Sequence, residues 1–478
     1  MLKKNRHEEA GVAPCAECHE LGIECETGDK CDYIKERGFR NYGGIRLTAD
    51  GFDCAMPVAI DSHSACAYNC LYCFSDNILG HATNVREQPK VGRTSLKAIE
   101  RVFSGQSNNK MHDIYRKALK YHDRNENGYP APVQLGALCD PLDNIEQYSG
   151  WLREFLKIAI KYDQPVRMST KGIILLLDEY WDIIKQKPEI FWVAFSIITS
   201  YDDLLEMVDE GCPNATQRLR LMEKLNKIGC KTSLRFRPMI PGISDHKNDP
   251  DRLVDLAGKA GADAVSYEVM FYPMTVPKDK REDWAKLNLL TGMNLKELYK
   301  QFGKTQACTR PPYTWTEPVM HRVKEKAHEH GMTCGVSDPA WKQLSDVGCC
   351  CGIEPDDPVF GNWERENATM AIVNREQGRR DDKITVDEII PPWAEKVKHG
   401  TMCNLGAGPK VAQAKRYRTW ADNLREIWNN PTMERSPANY FQRAVVPVGE
   451  DDNGNLIYEY KGLKRQYKDT VWNVECNG

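Results

Sequence analysis

The chain has 478 residues, of which 41% are hydrophobic and 28% charged, with a formal net charge of −3. That balance excludes a disordered chain and a protein that is basic all over, although a local nucleic-acid groove remains compatible with it. No run reaches the ~18 apolar residues of a membrane span, and the opening MLKKNRHEEAG has no apolar secretory core, so a cytoplasmic protein with no membrane partner is expected. The chain carries 18 cysteines. They fall into groups, which in a cytosolic protein points to metal rather than to disulfides.

Residues 1–52 are polar and lack a helical period. Within them Cys15, Cys18, Cys25 and Cys31 follow a C-x2-C-x6-C-x5-C spacing. Such a set can close round one zinc or one cluster, and a short segment poor in apolar residues needs a staple of that kind. His19 is an alternative ligand.

From 53 to 275 the pattern alternates. Strand-like runs are MPVAID (56–61), PVQLGAL (132–138), PVRMS (165–169), FWVAFSI (191–197), KTSLRFR (231–237) and AVSYEVMF (264–271). Helical patterns lie between most of them, as in 151–162, 173–184 and 214–229, and a polar insertion around one helix covers 104–132. Alternation of this kind implies parallel βαβ units, and six of them suit a partial α/β barrel. Residues 276–355 read as a helical and strand extension. There Cys334 closes a short strand, and Cys349, Cys350 and Cys351 stand on a Gly-flanked turn. An auxiliary iron–sulfur cluster or a zinc fits this group, although three adjacent cysteines cannot all point at one ion. Residues 356–478 are polar, Asn-rich and weakly periodic, and read as an α+β extension. Basic and aromatic residues alternate in 410–420 and 443–468, a pattern that suits nucleic acid or a solvated face.

The most specific signal is CAYNCLYCF (66–74), with Cys66, Cys70 and Cys73 in C-x3-C-x2-C spacing. Three thiolates on one loop can bind three irons of a cubane. The fourth iron then stays open to a substrate or cofactor. Structural zinc asks for four ligands, which this loop does not supply. The loop follows the first predicted parallel strand, where α/β barrels build active sites.

Five further segments follow in order: GALCDPLDNIE (136–146), MSTKG (168–172), VAFSII (193–198), DEGCPNATQRL (209–219) and RPMIPGISD (237–245). With the cysteine loop, they resemble the radical S-adenosylmethionine (SAM) superfamily, and within it the spore photoproduct lyase / DNA repair photolyase-like group, over about 55–275. The resemblance implies a partial (β/α)6 TIM-like barrel with the cysteine-rich segment before it. It implies a [4Fe-4S] cluster on Cys66, Cys70 and Cys73, and SAM chelating the open iron. Lys171 and Ser196 would hold the SAM carboxylate or ribose, Arg218 matches a family arginine, and Tyr72 and Phe74 would pack near the adenine. A reductant such as flavodoxin or ferredoxin is implied. In that group a strand-two cysteine returns a hydrogen atom. The matching position here is Ala137, so Cys139, two residues on and on the same strand face, is the candidate donor, or else a small buried apolar residue. The implied reaction is radical chemistry on a nucleobase or nucleic acid, of lyase or oxidoreductase type. Two alternatives are a peptide- or protein-modifying enzyme with an auxiliary cluster, and a non-enzymatic iron–sulfur or zinc nucleic-acid-binding protein.

Overall fold

The structure is a computed structural model that describes residues 38–48, 56–75, 90–273, 276, 280–300, 308–362, 367–397, 419–433, 436–441 and 444–462. The expected ligands Cys15, Cys18, Cys25 and Cys31, and most of the basic–aromatic stretch 410–420, lie outside the described residues.

The centre is one eight-stranded sheet. In chain order its strands are β1 (Ile45–Leu47), β2 (Val58–Ile60), β3 (Val133–Leu135), β4 (Val166–Thr170), β5 (Phe191–Ser196), β6 (Lys231–Met239), β7 (Ala264–Val269) and β8 (Thr333–Val336). Their spatial order is β8-β7-β6-β5-β4-β3-β2-β1. β1 runs antiparallel to β2, and every other neighbouring pair is parallel. Each new parallel strand is added at the same edge. Right-handed crossovers then put the connecting helices on one face and leave the other face inside.

The six runs read as strands correspond to β2–β7, but the sheet does not stop there. β8 pairs with β7, with Val265 opposite Cys334, so the parallel sheet has seven strands where six were expected, and it runs past residue 275. Four residues with a central glycine give too weak a pattern to be joined to the sheet from sequence. The partner strand decides it.

Alternation along the strands separates two buried faces. Val133, Leu135, Val166, Met168, Val193, Phe195, Leu234, Phe236, Val265 and Tyr267 belong to the main apolar core. Helices cover that side. α1 (Trp151–Lys161) buries Trp151, Leu152, Phe155, Leu156 and Ala159, spaced three and four apart as one helical stripe. α2 (Ala215–Lys227) starts at Asn214, whose side chain accepts from Gln217 N while the Gln217 side chain caps in return; such a cap contributes about 1 kcal/mol. α3 (Asp249–Lys259) and α4 (Tyr313–Glu329) pack on each other, with Arg322 donating to both Asp251 oxygens.

The residues between, on the inner face, are small or polar: Gln134, Arg167, Ser169, Ala194, Ser196, Ser233, Arg235, Ser266 and Glu268. A second, smaller apolar cluster of Met56, Trp192, Ala264, Cys349, Cys351, Ile353, Phe360 and Met370 packs at the strand starts. Gly335 on β8 makes that closure feasible. A Cβ there would meet Gly352 N at 2.6 Å and Cys349 O at 2.8 Å, so only glycine lets the cysteine turn lie on the sheet.

Beyond 355 the described chain is better ordered than its composition predicts. α5 (Ala368–Glu376), α6 (Trp420–Trp428) and an antiparallel sheet of β9 (Lys383–Ile384), β10 (Val445–Glu450) and β11 (Leu456–Tyr460), in the order β9-β11-β10, form an α+β unit. Its core is aromatic: Trp393, Trp420, Trp428 and Tyr458 are buried. A few large rings hold a segment whose apolar residues are too sparse to give a period.

Candidate functional site

The C-terminal ends of β2 to β5 meet in loops tied together by carboxylates. Asp61, just after β2, accepts from the backbone N–H of Ala137 and of Leu138, both at 2.9 Å, and pairs with Arg46. Asp140, in the loop after β3, accepts from Thr170 Oγ1 and from Lys171 N, both at 2.6 Å. Asp143 in the same loop accepts from Ala67 N at 2.6 Å and Ile145 N at 2.9 Å. Each carboxylate thus fixes the next loop against its neighbour. Burial pushes the Asp143 carboxyl up to about 8, against the hydrogen bond from Ala67 N that lowers it.

The cysteine loop is held from both sides. Asn69–Cys70 pairs antiparallel with Asp209–Glu210, and Leu71 N donates to Val208 O at 3.0 Å. Cys73 N donates to Cys70 O at 3.1 Å, a tight turn. Cys66, Cys70 and Cys73 are free thiols, all partly exposed. Lys171 Nζ lies 2.8 Å from Cys70 Sγ, 2.8 Å from the Tyr72 hydroxyl and 2.8 Å from Asp209 Oδ1. A hydrogen bond from Cys212 and the Lys171 ammonium hold the Cys70 thiol below its usual range against burial, whereas burial pushes Cys66 up. Burial raises Asp209, but Lys171 and Arg218 outweigh it and hold the carboxyl at about 2.

The donor set fits a cluster better than a single ion. Among the described residues, the one group of three His, Cys, Asp or Glu donors drawn within 4.8 Å is His328, Cys334 and Asp346. The three loop sulfurs do not all lie within 4.8 Å of one another, whereas Zn–S bonds of about 2.3 Å would bring every pair to ~3.8 Å on a tetrahedral zinc. A cubane spreads its thiolates over separate irons.

The other expected residues take various places. Arg218 is fully buried on α2; it donates to Asp209 Oδ2 at 2.9 Å and to Ser196 O at 2.5 Å. Ser196 Oγ accepts from Arg235 Nη1 at 3.1 Å. Tyr72 OH donates to Asp209 Oδ1 at 2.5 Å, while Phe74 is 47% exposed. Cys139 is buried, its Sγ 3.6 Å from Ser62 Oγ, and burial pushes its thiol up. A connected line runs from Cys70 through Lys171, Asp209, Arg218 and Ser196 to Arg235.

Cys334 and the 349–351 turn are not brought together. Cys334 faces His328 and Asp346, with His328 Nε2 at 2.8 Å and Lys324 Nζ at 3.1 Å from Asp346. Cys349 and Cys351 sit in the small apolar cluster on the other side of β8. Adjacent positions in a strand point to opposite faces, and Gly335 carries the turn while Cys334 points away.

Sequence reasoning assigned no role to Asp61, Asp143, Asp209, Arg167, Arg235, Arg237 or Glu268. Period-two polar positions in the runs RMS (167–169) and RFR (235–237) were the available signal. Burial lowers Arg235 to about 9, helped by Arg237 and Arg167.

No family model and no curated protein matches the sequence. Among solved structures, a spore photoproduct lyase mutant aligns at TM-score 0.42 and 14% identity, over 65% of this chain and 85% of that one. Streptococcus suis SuiB bound to its precursor peptide SuiA aligns at 0.31 and 14%, over 46% and 40%. SuiB bound to S-adenosylmethionine aligns at 0.33 and 14%, over 58% and 51%. The chain thus spans about half or less of SuiB.

Proposed function

We propose that the protein is a radical SAM enzyme acting on a nucleobase or nucleic acid, in repair or modification. The observation that carries the reading is the C-x3-C-x2-C loop at the end of the first parallel strand, with Lys171 Nζ 2.8 Å from Cys70 Sγ. When bound, a [4Fe-4S] cluster with SAM at its open iron supplies reductive cleavage of the sulfonium and a 5′-deoxyadenosyl radical.

The chain's own residues do the rest. Cys66, Cys70 and Cys73 would ligate the cluster, and the Asp143 and Asp209 contacts hold their loop in place. Lys171 presents a point charge suited to the SAM carboxylate, with Asp209 fixing its direction. Ser196 stands at the end of β5, where its hydroxyl can meet the ribose. The inner face beneath them is closed off at the strand starts, which keeps water from a reactive radical. Cys139, buried beside Ser62, would be the hydrogen donor in this reading. An external one-electron reductant such as flavodoxin or ferredoxin is required. The substrate class rests on the motif resemblance over 136–245.

The test is anaerobic reconstitution with iron and sulfide, reduction in the presence of SAM, and chromatography for 5′-deoxyadenosine. Wild type is expected to form it and Cys70→Ala is not. An intact, reduced cluster that leaves SAM whole would falsify the reading.

A further inference from the structure

The inner face of the sheet holds three arginines with too few partners. Arg167 Nη1 donates to Gln134 Oε1 at 2.8 Å and Ser169 Oγ at 2.7 Å, but its Nε and Nη2 are buried with no hydrogen-bond partner. Arg235 Nη1 donates to Ser196 Oγ at 3.1 Å, and Arg237 donates to Ser337 Oγ and also bonds to Cys350, but Arg235 Nε and Arg237 Nε are buried with no hydrogen-bond partner. Arg167 as a whole is 1% exposed. Buried donors in native proteins are nearly all satisfied, and charged ones cost most when they are not. Among the described residues, the single carboxylate in an ion pair with any of the three is Glu268, 3.6 Å from Arg237. The set carries two positive charges more than that pairing neutralises. Their neighbours Ser196, Ser233 and Ser266 on the inner face are small, and the cysteine turn lies against Ser266, whose Oγ donates to Cys350 O at 2.7 Å.

We propose that these arginines bind the substrate through an anionic group of the phosphomonoester class, with Arg235 and Arg237 as its principal donors and Arg167 beneath. Guanidinium forks match phosphate oxygens in pairs, and a phosphomonoester carries nearly two negative charges at neutral pH, as the excess requires. A carboxylate or a phosphodiester would leave one charge over. Arg235 also touches Ser196, so the anion lies directly below the candidate SAM-binding residues, and a molecule anchored there extends toward the cysteine loop. The inference rests on the proposed catalytic reading for its word substrate, but not for the binding site.

The test titrates inorganic phosphate by calorimetry into the anaerobically reconstituted full chain with SAM at saturation, with acetate in a parallel arm. Saturable phosphate binding is expected, at least tenfold weaker in Arg235→Gln and unchanged in Arg322→Gln, whose side chain lies on the outer helices. Arg237→Gln serves the same purpose if Arg235→Gln does not fold. Absent binding, equal binding in the variants, or acetate bound as well as phosphate overturns the proposal. Mutual exclusion of SAM and phosphate also overturns it, because the arginines would then hold SAM's own carboxylate. 5′-Deoxyadenosine is measured on the same samples. Cleaved SAM without phosphate binding sinks this inference alone, and bound phosphate without cleavage sinks the catalytic reading alone.

Discussion

Lys171 and Asp209 form an ion pair of 2.8 Å at the mouth of the sheet, with Asp209 1% and Lys171 13% exposed. The same carboxylate takes Arg218 at 2.9 Å, so one acid organises two cations on two different elements. Removing it strands both. Asp209→Asn is expected to destabilise the fold by about 3–5 kcal/mol, the usual cost of breaking a buried pair. A urea midpoint reads that loss. A stability within 1 kcal/mol of wild type would mean that Arg218 finds another partner.

Gly172 explains why the MSTKG segment ends in glycine. A Cβ there would lie 2.1 Å from Leu142 O, and a backbone oxygen cannot swing aside. Gly172→Ala should push the Asp140–Asp143 loop off β4, at about 1–3 kcal/mol, and lower 5′-deoxyadenosine formation with it. Unchanged melting and activity would show that the two loops are not rigidly coupled.

Asp143 holds the cysteine loop through Ala67 N. In Asp143→Asn one of the two acceptors becomes a donor, facing either Ala67 N or Ile145 N. The expected cost is about 1–3 kcal/mol. Iron bound per chain after reconstitution is expected to fall further than stability does, because the loop that would carry the ligands loses its anchor. Full iron loading would refute that role.

His63 is buried between Phe39 and Trp151, its Nδ1 3.0 Å from Ser62 Oγ and its Nε2 unpaired. Burial, then Arg93, lowers it to about 3. The unfolded chain takes a proton near pH 6.5 and the folded chain does not, so stability falls as pH drops from 6.5 toward 3. At pH 5 that difference amounts to about 2 kcal/mol. Wild type should lose this much between pH 7.5 and 5 relative to His63→Gln, read from denaturant melts at both pH values. Parallel slopes would mean that His63 is protonated in the fold.

The cysteine loop and the alternation of strands and helices were legible in the sequence because each depends on local order, whereas Lys171, Ser196 and Arg218 were singled out only by the family resemblance. Spacing puts three thiols on one turn, and a period of two or 3.6 defines an element before any partner exists. The partnerships were not legible. β8 joins the sheet only because β7 offers an edge, and Cys334 parts from Cys349–Cys351 only because strand geometry sends them to opposite faces. Asp209 meets Lys171 and Arg218 across 38 and 9 residues of chain. The tertiary structure alone decided that the polar positions of β4 and β6 turn inward. A period-two pattern marks two faces without saying which one is buried, and here the helices claimed the apolar face and left three arginines inside.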